Sequence, residues 1–208
     1  HLYAPNITSE YSDEDPFKFY NIERGFKIHK LPYPKMKGNF IIYAILASIY
    51  SRKLIPDIVI SRSPLPSMLS AIMGNNVIYE SHAPVFRQNY LFQFAFKILV
   101  RLKHFIGLLV ITESLKTYYL KNIAIPISKI KVLPDASDAV KSVNLVENWP
   151  GRGNCLQAGY VGGLYRGKGL EIIENIHDKL PRVDFHIVGG SKSEVHFWEQ
   201  RISGSNVF

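Results

Sequence analysis

The sequence predicts an α/β protein with parallel sheets in two domains, on three observations. Helix-like and strand-like patterns alternate strictly from residue 26 to residue 133, the signature of a parallel sheet covered on both faces. Several strand candidates, such as IVI at 58–60 and LLVI at 108–111, are nearly continuous apolar runs, as strands buried on both faces are. After a break over 135–154, with Pro134, Pro150, Gly151 and Gly153 at its margins, the alternation starts again.

In order, a polar opening before residue 26, crowded with Glu10, Asp13, Glu14, Asp15 and Glu23, precedes a strand over 26–31 and a helix over 39–53. A strand over 57–61 runs into the stretch SRSPLP, and a short helix over 66–73 follows. Next come a strand over 76–80, a long helix over 90–105 and a strand over 107–112. A helix over 114–121, capped by Thr112 or Ser114, and a strand over 130–133 complete the first set. This predicts a first domain over 1–140 and a linker over 141–154. A second domain then opens with a strand over 155–161, a helix over 169–179, a strand over 184–188 and a helix over 193–202. Only about 55 residues follow the linker, fewer than the ~100–150 of a typical domain. The second domain is therefore expected to be incomplete, and both chain ends read as cut.

Composition narrows the class. A hydrophobic share of 47% in 208 residues supports a sizeable core. The single cysteine, Cys155, excludes an internal disulfide framework and a cysteine-based zinc site. That favours a reducing, cytoplasmic setting. Residues 1–15 have neither the basic start nor the apolar core of a signal peptide. The apolar stretch 90–111 is broken by Lys97, Arg101, Lys103 and His104 and is too polar to span a bilayer. A formal charge of +8, from 25 basic against 17 acidic residues, points to a polyanionic partner, a diphosphate or an anionic membrane surface among them.

In open parallel sheets ligands bind beyond the carboxyl ends of the strands, which directs attention to SRSPLP (61–66), ESHAP (80–84), TES (112–114), the glycine loop after 161 and GGSK (189–192). Glu80 and His82 are two positions apart at a strand end, so both side chains can share a side and the carboxylate can orient the imidazole. A strand-end histidine bonded to a neighbour would look the same. Gly162 to Gly169 reads G-x-x-x-x-G-K-G, one residue short of a P-loop, because Gly169 stands where a magnesium-binding Ser or Thr is needed. Glycines let a diphosphate approach backbone amides while Arg166 and Lys168 supply charge. The same residues also suit a bare strand-to-helix turn. A degenerate P-loop and a non-catalytic membrane- or partner-binding module remain open alternatives, whereas the dinucleotide spacing G-x-G-x-x-G is not met by Gly159, Gly162 and Gly163. On the helix expected over 90–105, Lys97, Arg101 and His104 would form a basic stripe opposite an apolar, aromatic face.

Glu80-Ser-His82, Leu109-Val-Ile-Thr-Glu-Ser114, Ile130-Lys-Val-Leu-Pro-Asp135, Tyr160-Val-Gly-Gly-Leu164, Gly167-Lys-Gly-Leu170 and Phe185-His-Ile-Val-Gly-Gly190 occur in an order and spacing that resemble retaining glycosyltransferases of the GT-B fold, family 4. The resemblance covers most of residues 57–190. It implies two Rossmann-like domains and transfer of a sugar from a nucleotide-sugar to a polysaccharide or lipid-linked acceptor. It further implies that no metal or other cofactor is needed and no nucleic acid is bound, with a place in cell-surface glycan synthesis at the cytoplasmic face of a membrane. Lys168 then matches the donor-diphosphate lysine, with Arg166, Gly162 and Gly163 beside it. His82 matches the histidine near donor sugar and acceptor, and Glu80, Gly189 and Gly190 are further candidates for the donor or cleft. Two departures stand out: Gly163 occupies the usual arginine position, and Pro134-Asp135-Ala136-Ser137-Asp138 replaces Pro-Asn-Gly-x-Asp. The first strand and glycine loop of the N-terminal domain and the carboxylate motif of the C-terminal domain are missing from the pattern. The 208-residue chain alone is therefore expected not to turn over.

Overall fold

A computed structural model describes residues 1–7, 15–20, 22–136 and 150–208. Ser137, Asp138, residues 141–149 of the expected linker, and Glu10, Asp13 and Glu14 lie outside the described residues. The chain divides into two units, 1–138 and 139–208.

In the first unit, β1 (Leu2–Pro5) pairs in parallel with β2 (Ile28–Leu31), Leu2 opposite Ile28. The polar opening thus contributes a strand, and a short helix α1 (Pro16–Phe19), neither of which its composition announces. Helix α2 (Asn39–Lys53) follows, its Tyr43 hydroxyl donating to the Tyr3 carbonyl at 2.9 Å. A four-stranded parallel sheet is laid down in chain order: β3 (Val59–Ser61), β4 (Val77–Ser81), β5 (Phe105–Val110) and β6 (Ile130–Val132). Its crossovers are helices α3 (Pro64–Ile72), α4 (Tyr90–Leu99) and α5 (Glu113–Asn122). Pro64 sits at the first turn of α3, where its missing N–H is harmless, and the Thr112 hydroxyl caps α5 by accepting from the Leu115 amide at 3.1 Å.

The helix expected over 90–105 ends at Leu99. Phe105, 1% exposed, already belongs to β5, which pairs with β4 through an irregular register, Val77 opposite Phe105 and Ile78 opposite Gly107. Ile106 is the extra residue, and such a bulge is how a strand passes a point that reads as a break in sequence. The basic stripe of Lys97, Arg101 and His104 therefore does not exist on one helix. Only Lys97 lies on α4, and His104 bonds Asn76 at 3.3 Å.

Phe96 is the hub of the first core, with ring centroids of Tyr119, Tyr79 and Phe86 at 5.3, 5.4 and 6.1 Å. Burial raises the hydroxyl pKa of both Tyr79 and Tyr119. Both stay protonated at neutral pH.

The second unit contains β7 (Leu156–Val161), α6 (Leu170–Ile176), β8 (Val183–Val188) and α7 (Lys192–Glu199). Strands β7 and β8 are parallel, and Val207 adds a parallel bridge to Phe185. Leu164, Leu170, Trp198 and Ile202 form its core. At the amino end of the strands Asp184 is fully buried and held by Arg152, through the backbone N–H at 2.5 Å and the guanidinium at 2.6 and 2.9 Å, and by Gln157 at 3.2 Å. Burial pushes its pKa up, but these donors outweigh burial and hold the carboxyl below the usual range. A carboxyl shifted below its unfolded value of about 3.9 adds stability that is present above that pH and lost as pH falls through the folded value. Denaturation curves at pH 7 and pH 3 are expected to show Arg152→Ala clearly less stable than wild type at pH 7. The gap between the two proteins should narrow at pH 3.

Candidate functional site

Because β3 to β6 are parallel, their carboxyl ends lie on one side, and the residues that follow them gather there. Arg62 follows β3, Glu80 lies near the end of β4 and His82 just past it, and Asp135 lies beyond β6. His82 Nε2 is 2.6 Å from Glu80 Oε1, so the pairing expected from their spacing is formed. Arg62 Nη2 is 2.8 Å from His82 Nδ1, and Asp135 Oδ2 is 3.7 Å from the same nitrogen. Side-chain exposures of 26% for His82 and 30% for Glu80, against 64% for Arg62, describe a half-buried pair beneath an exposed arm. The turn carrying His82 is fixed from below. The Tyr119 hydroxyl and Ser81 Oγ meet at 2.7 Å, Ser81 Oγ donates to the Ala83 carbonyl at 2.8 Å, and the Val85 amide donates to Tyr119 at 3.2 Å.

Glu80, His82 and Asp135 each offer a ligand atom within 4.8 Å of the others, which is metal-like spacing. A cation at His82 Nδ1 would have to displace Arg62, and one at Nε2 would have to displace Glu80 from its hydrogen bond. The donor set suits a histidine held between charged neighbours better than a metal ligand.

In the second unit the loop after β7 and the end of β8 interlock. The Gly162 amide donates to the Val188 carbonyl at 3.0 Å. A Cβ on Gly189 would stand 2.1 Å from the Gly162 oxygen, and one on Gly190 would stand 2.6 Å from Leu164 Cγ. Gly189 and Gly190 thus serve to let the loop close over the strand end. The Trp198 indole donates to the Leu164 carbonyl at 2.5 Å, and the Tyr160 hydroxyl donates to the Gly163 carbonyl at 2.7 Å.

Both loop cations rest on aromatic rings, as exposed cations do when a π face is offered. Lys168 Nζ is 5.1 Å from the Tyr165 centroid, and the Tyr165 hydroxyl raises its pKa by hydrogen bonding, which secures the positive charge. Arg166 lies 5.3 Å from the Phe197 centroid, with Arg201 at 5.4 Å from the same ring. A Cβ on Gly163 would lie 2.8 Å from Tyr165 Cε1, so the ring under Lys168 packs against the bare glycine. Gly169 has φ +98°, a left-handed backbone that disfavours the Ser or Thr of a P-loop. The Glu171 carboxylate accepts from the Gly167 amide at 2.8 Å, which with its own helix-end amides lowers its pKa. That amide is occupied, and so is that of Gly162, whereas among the described residues the Gly163 N–H has no partner.

Sequence reasoning missed Arg62 and Asp135 as neighbours of His82, and Tyr165, Phe197 and Glu171 around the loop. The sequence SRSPLP marks a strand end, but nothing in it says that Arg62 turns toward β4.

Parallel strands, helical crossovers and polar residues at the strand carboxyl ends define an α/β protein with Rossmann-like sheets, and its fold is that of solved GT-B proteins. Among solved structures it is similar to Anabaena HepE in complex with UDP and glucose, with TM-score 0.64 and 16% identity over 92% of this chain and 56% of that one. It is also similar to the lipopolysaccharide outer core galactosyltransferase WaaB, with TM-score 0.56 and 14% identity over 89% of this chain and 52% of that one. A third is UDP-N-acetylglucosamine 2-epimerase from Rickettsia bellii, with TM-score 0.52 and 13% identity over 98% and 59%. The chain thus spans about half the length of each. No family model matches the chain, and no curated protein matches it.

Proposed function

We propose that the protein is part of a glycosyltransferase that transfers a sugar from a nucleotide-sugar donor, with the glycine loop of the second unit as its donor-diphosphate site and His82 of the first unit as its catalytic histidine. The observation that carries this reading is the glycine loop. The loop that follows β7 at the carboxyl end of a parallel sheet carries two cations, Arg166 and Lys168, and the chain path takes glycine at 169 where magnesium chemistry would need a hydroxyl. Preorganised charge and amides are suited to stabilising a leaving diphosphate. Similar solved proteins act on or bind UDP or a UDP-sugar, including an epimerase, so the nucleotide-sugar is better supported than the transfer step.

The ordered landmarks from 57 to 190 support family 4, retention of configuration and independence from metal. Residues 25–112 hold 11 of the 25 Lys and Arg residues but only two of the 17 acids, Asp57 and Glu80. This basic segment supports a lipid-linked or otherwise anionic acceptor at a membrane surface, and hence a role in surface glycan synthesis at the cytoplasmic face. No helix among the described residues is long and apolar enough to cross a membrane.

Calorimetric titration of UDP, GDP and ATP, in magnesium and in EDTA, tests the reading. A nucleoside diphosphate is expected to bind equally with and without magnesium, and Lys168→Ala is expected to weaken it about ten-fold or more, the value of a hydrogen bond to a charged group. Magnesium-dependent ATP binding would replace this reading with the P-loop, and no binding of any nucleotide would replace it with the interaction module.

A further inference from the structure

We infer that Arg62 is the positioning residue of the first unit's site, a guanidinium that locks His82 in one tautomer and covers its only lone pair. Arginine has donors and no acceptor, so at 2.8 Å the Nδ1 of His82 must be the acceptor. The proton of the ring then lies on Nε2, where it is donated to Glu80 Oε1 at 2.6 Å. Both edges of the imidazole are engaged, and Arg62 Nε is itself 3.9 Å from Glu80 Oε1, so one carboxylate orients both the ring and the arm above it.

The arm is aimed by its own backbone. Ser61 Oγ donates to the Ser63 carbonyl at 3.2 Å and accepts from the Ser63 amide at 3.4 Å, a tight turn that directs residue 62 toward the end of β4. Register does the rest, since β3 and β4 are paired with Ser61 opposite Tyr79, which brings the residues just past each strand together. Asp135 Oδ2, 3.7 Å from Nδ1, is itself an acceptor and does not compete for that lone pair.

A ligand group therefore reaches His82 Nδ1 only by taking over from Arg62. The consequence for turnover rests on the glycosyltransferase reading; the lock itself does not. Diethyl pyrocarbonate acylates an imidazole through its free lone pair, so acylation of His82, followed by mass spectrometry with exposed His196 as internal reference, reads the lock directly. Arg62→Ala is expected to speed acylation of His82 about ten-fold or more relative to His196, the worth of a hydrogen bond to a charged donor. Arg62 is exposed, so the variant should keep the wild-type far-ultraviolet dichroism.

Two-bond proton–nitrogen correlation spectra of the 15N-labelled chain give a second readout. They should show His82 in the Nε2–H tautomer at alkaline pH, with its Nδ1 resonance displaced in the variant. An unchanged His82 rate, an unmoved Nδ1 resonance, or a wild-type ring carrying its proton on Nδ1 would each overturn the inference. If no nucleotide binds but Arg62→Ala still unmasks His82, the transferase reading falls and the lock stands; the converse pattern removes the lock alone.

Discussion

Phe96→Ala is expected to destabilise the first unit by about 3–5 kcal/mol, the range for removing a buried phenyl ring and leaving a cavity. The site is fully enclosed at 0% exposure, and three other aromatic rings lean on it from β4, α5 and the turn after β4. Tyr119 cannot collapse far into the space, because it also carries the hydroxyl that pins the Ser81–Val85 turn. Phe94→Ala, two residues earlier on the same helix but 63% exposed, should cost no more than about 0.5 kcal/mol. Urea unfolding followed by far-ultraviolet dichroism compares the two variants, and equal effects would contradict the described packing of α4.

Gly189→Ala is expected to be the most damaging small change in the second unit. The added methyl meets the backbone oxygen of Gly162 at 2.1 Å, which no side-chain rotation relieves, and φ of +128° is itself unsuited to alanine. Backbone strain and overpacking cost about 1–3 kcal/mol each. Because Gly162 opens the loop that carries Arg166 and Lys168, nucleotide affinity should fall with stability. Trp198, bonded to the Leu164 carbonyl within that loop, gives an internal fluorescence reporter of the displacement. Gly153→Ala, where an added Cβ meets nothing within 4 Å, is the matched control and should change neither property.

The α/β class, the parallel sheets and most element positions were legible because they rest on local patterns. The apolar run at 108–111 announces the inner strand β5, and Thr112 announces the start of α5. The run at 58–60 also announces a strand, but not one buried on both faces: β3 lies at the sheet edge, with Ile58 and Ile60 exposed, and an edge strand's apolar run looks the same in sequence. The helix expected over 90–105 ends at Leu99, and the sequence hides that end because an apolar helix running into an apolar strand offers no change of composition there. Strand β1 was missed because four residues carry too little period to read.

The candidate site divides in the same way. Lys168, Arg166 and the glycines lie within one short stretch, so spacing alone exposed them, and Glu80 with His82 followed from the two-residue period of a strand. Tertiary structure alone decided that Arg62 reaches His82 across twenty residues of sequence, that Asp135 joins them, and that the Tyr165 ring packs against Gly163. The physical reason is that side-chain periodicity is set by the local backbone, whereas the meeting of strand ends is set by strand order and register, which are fixed only when the whole sheet packs.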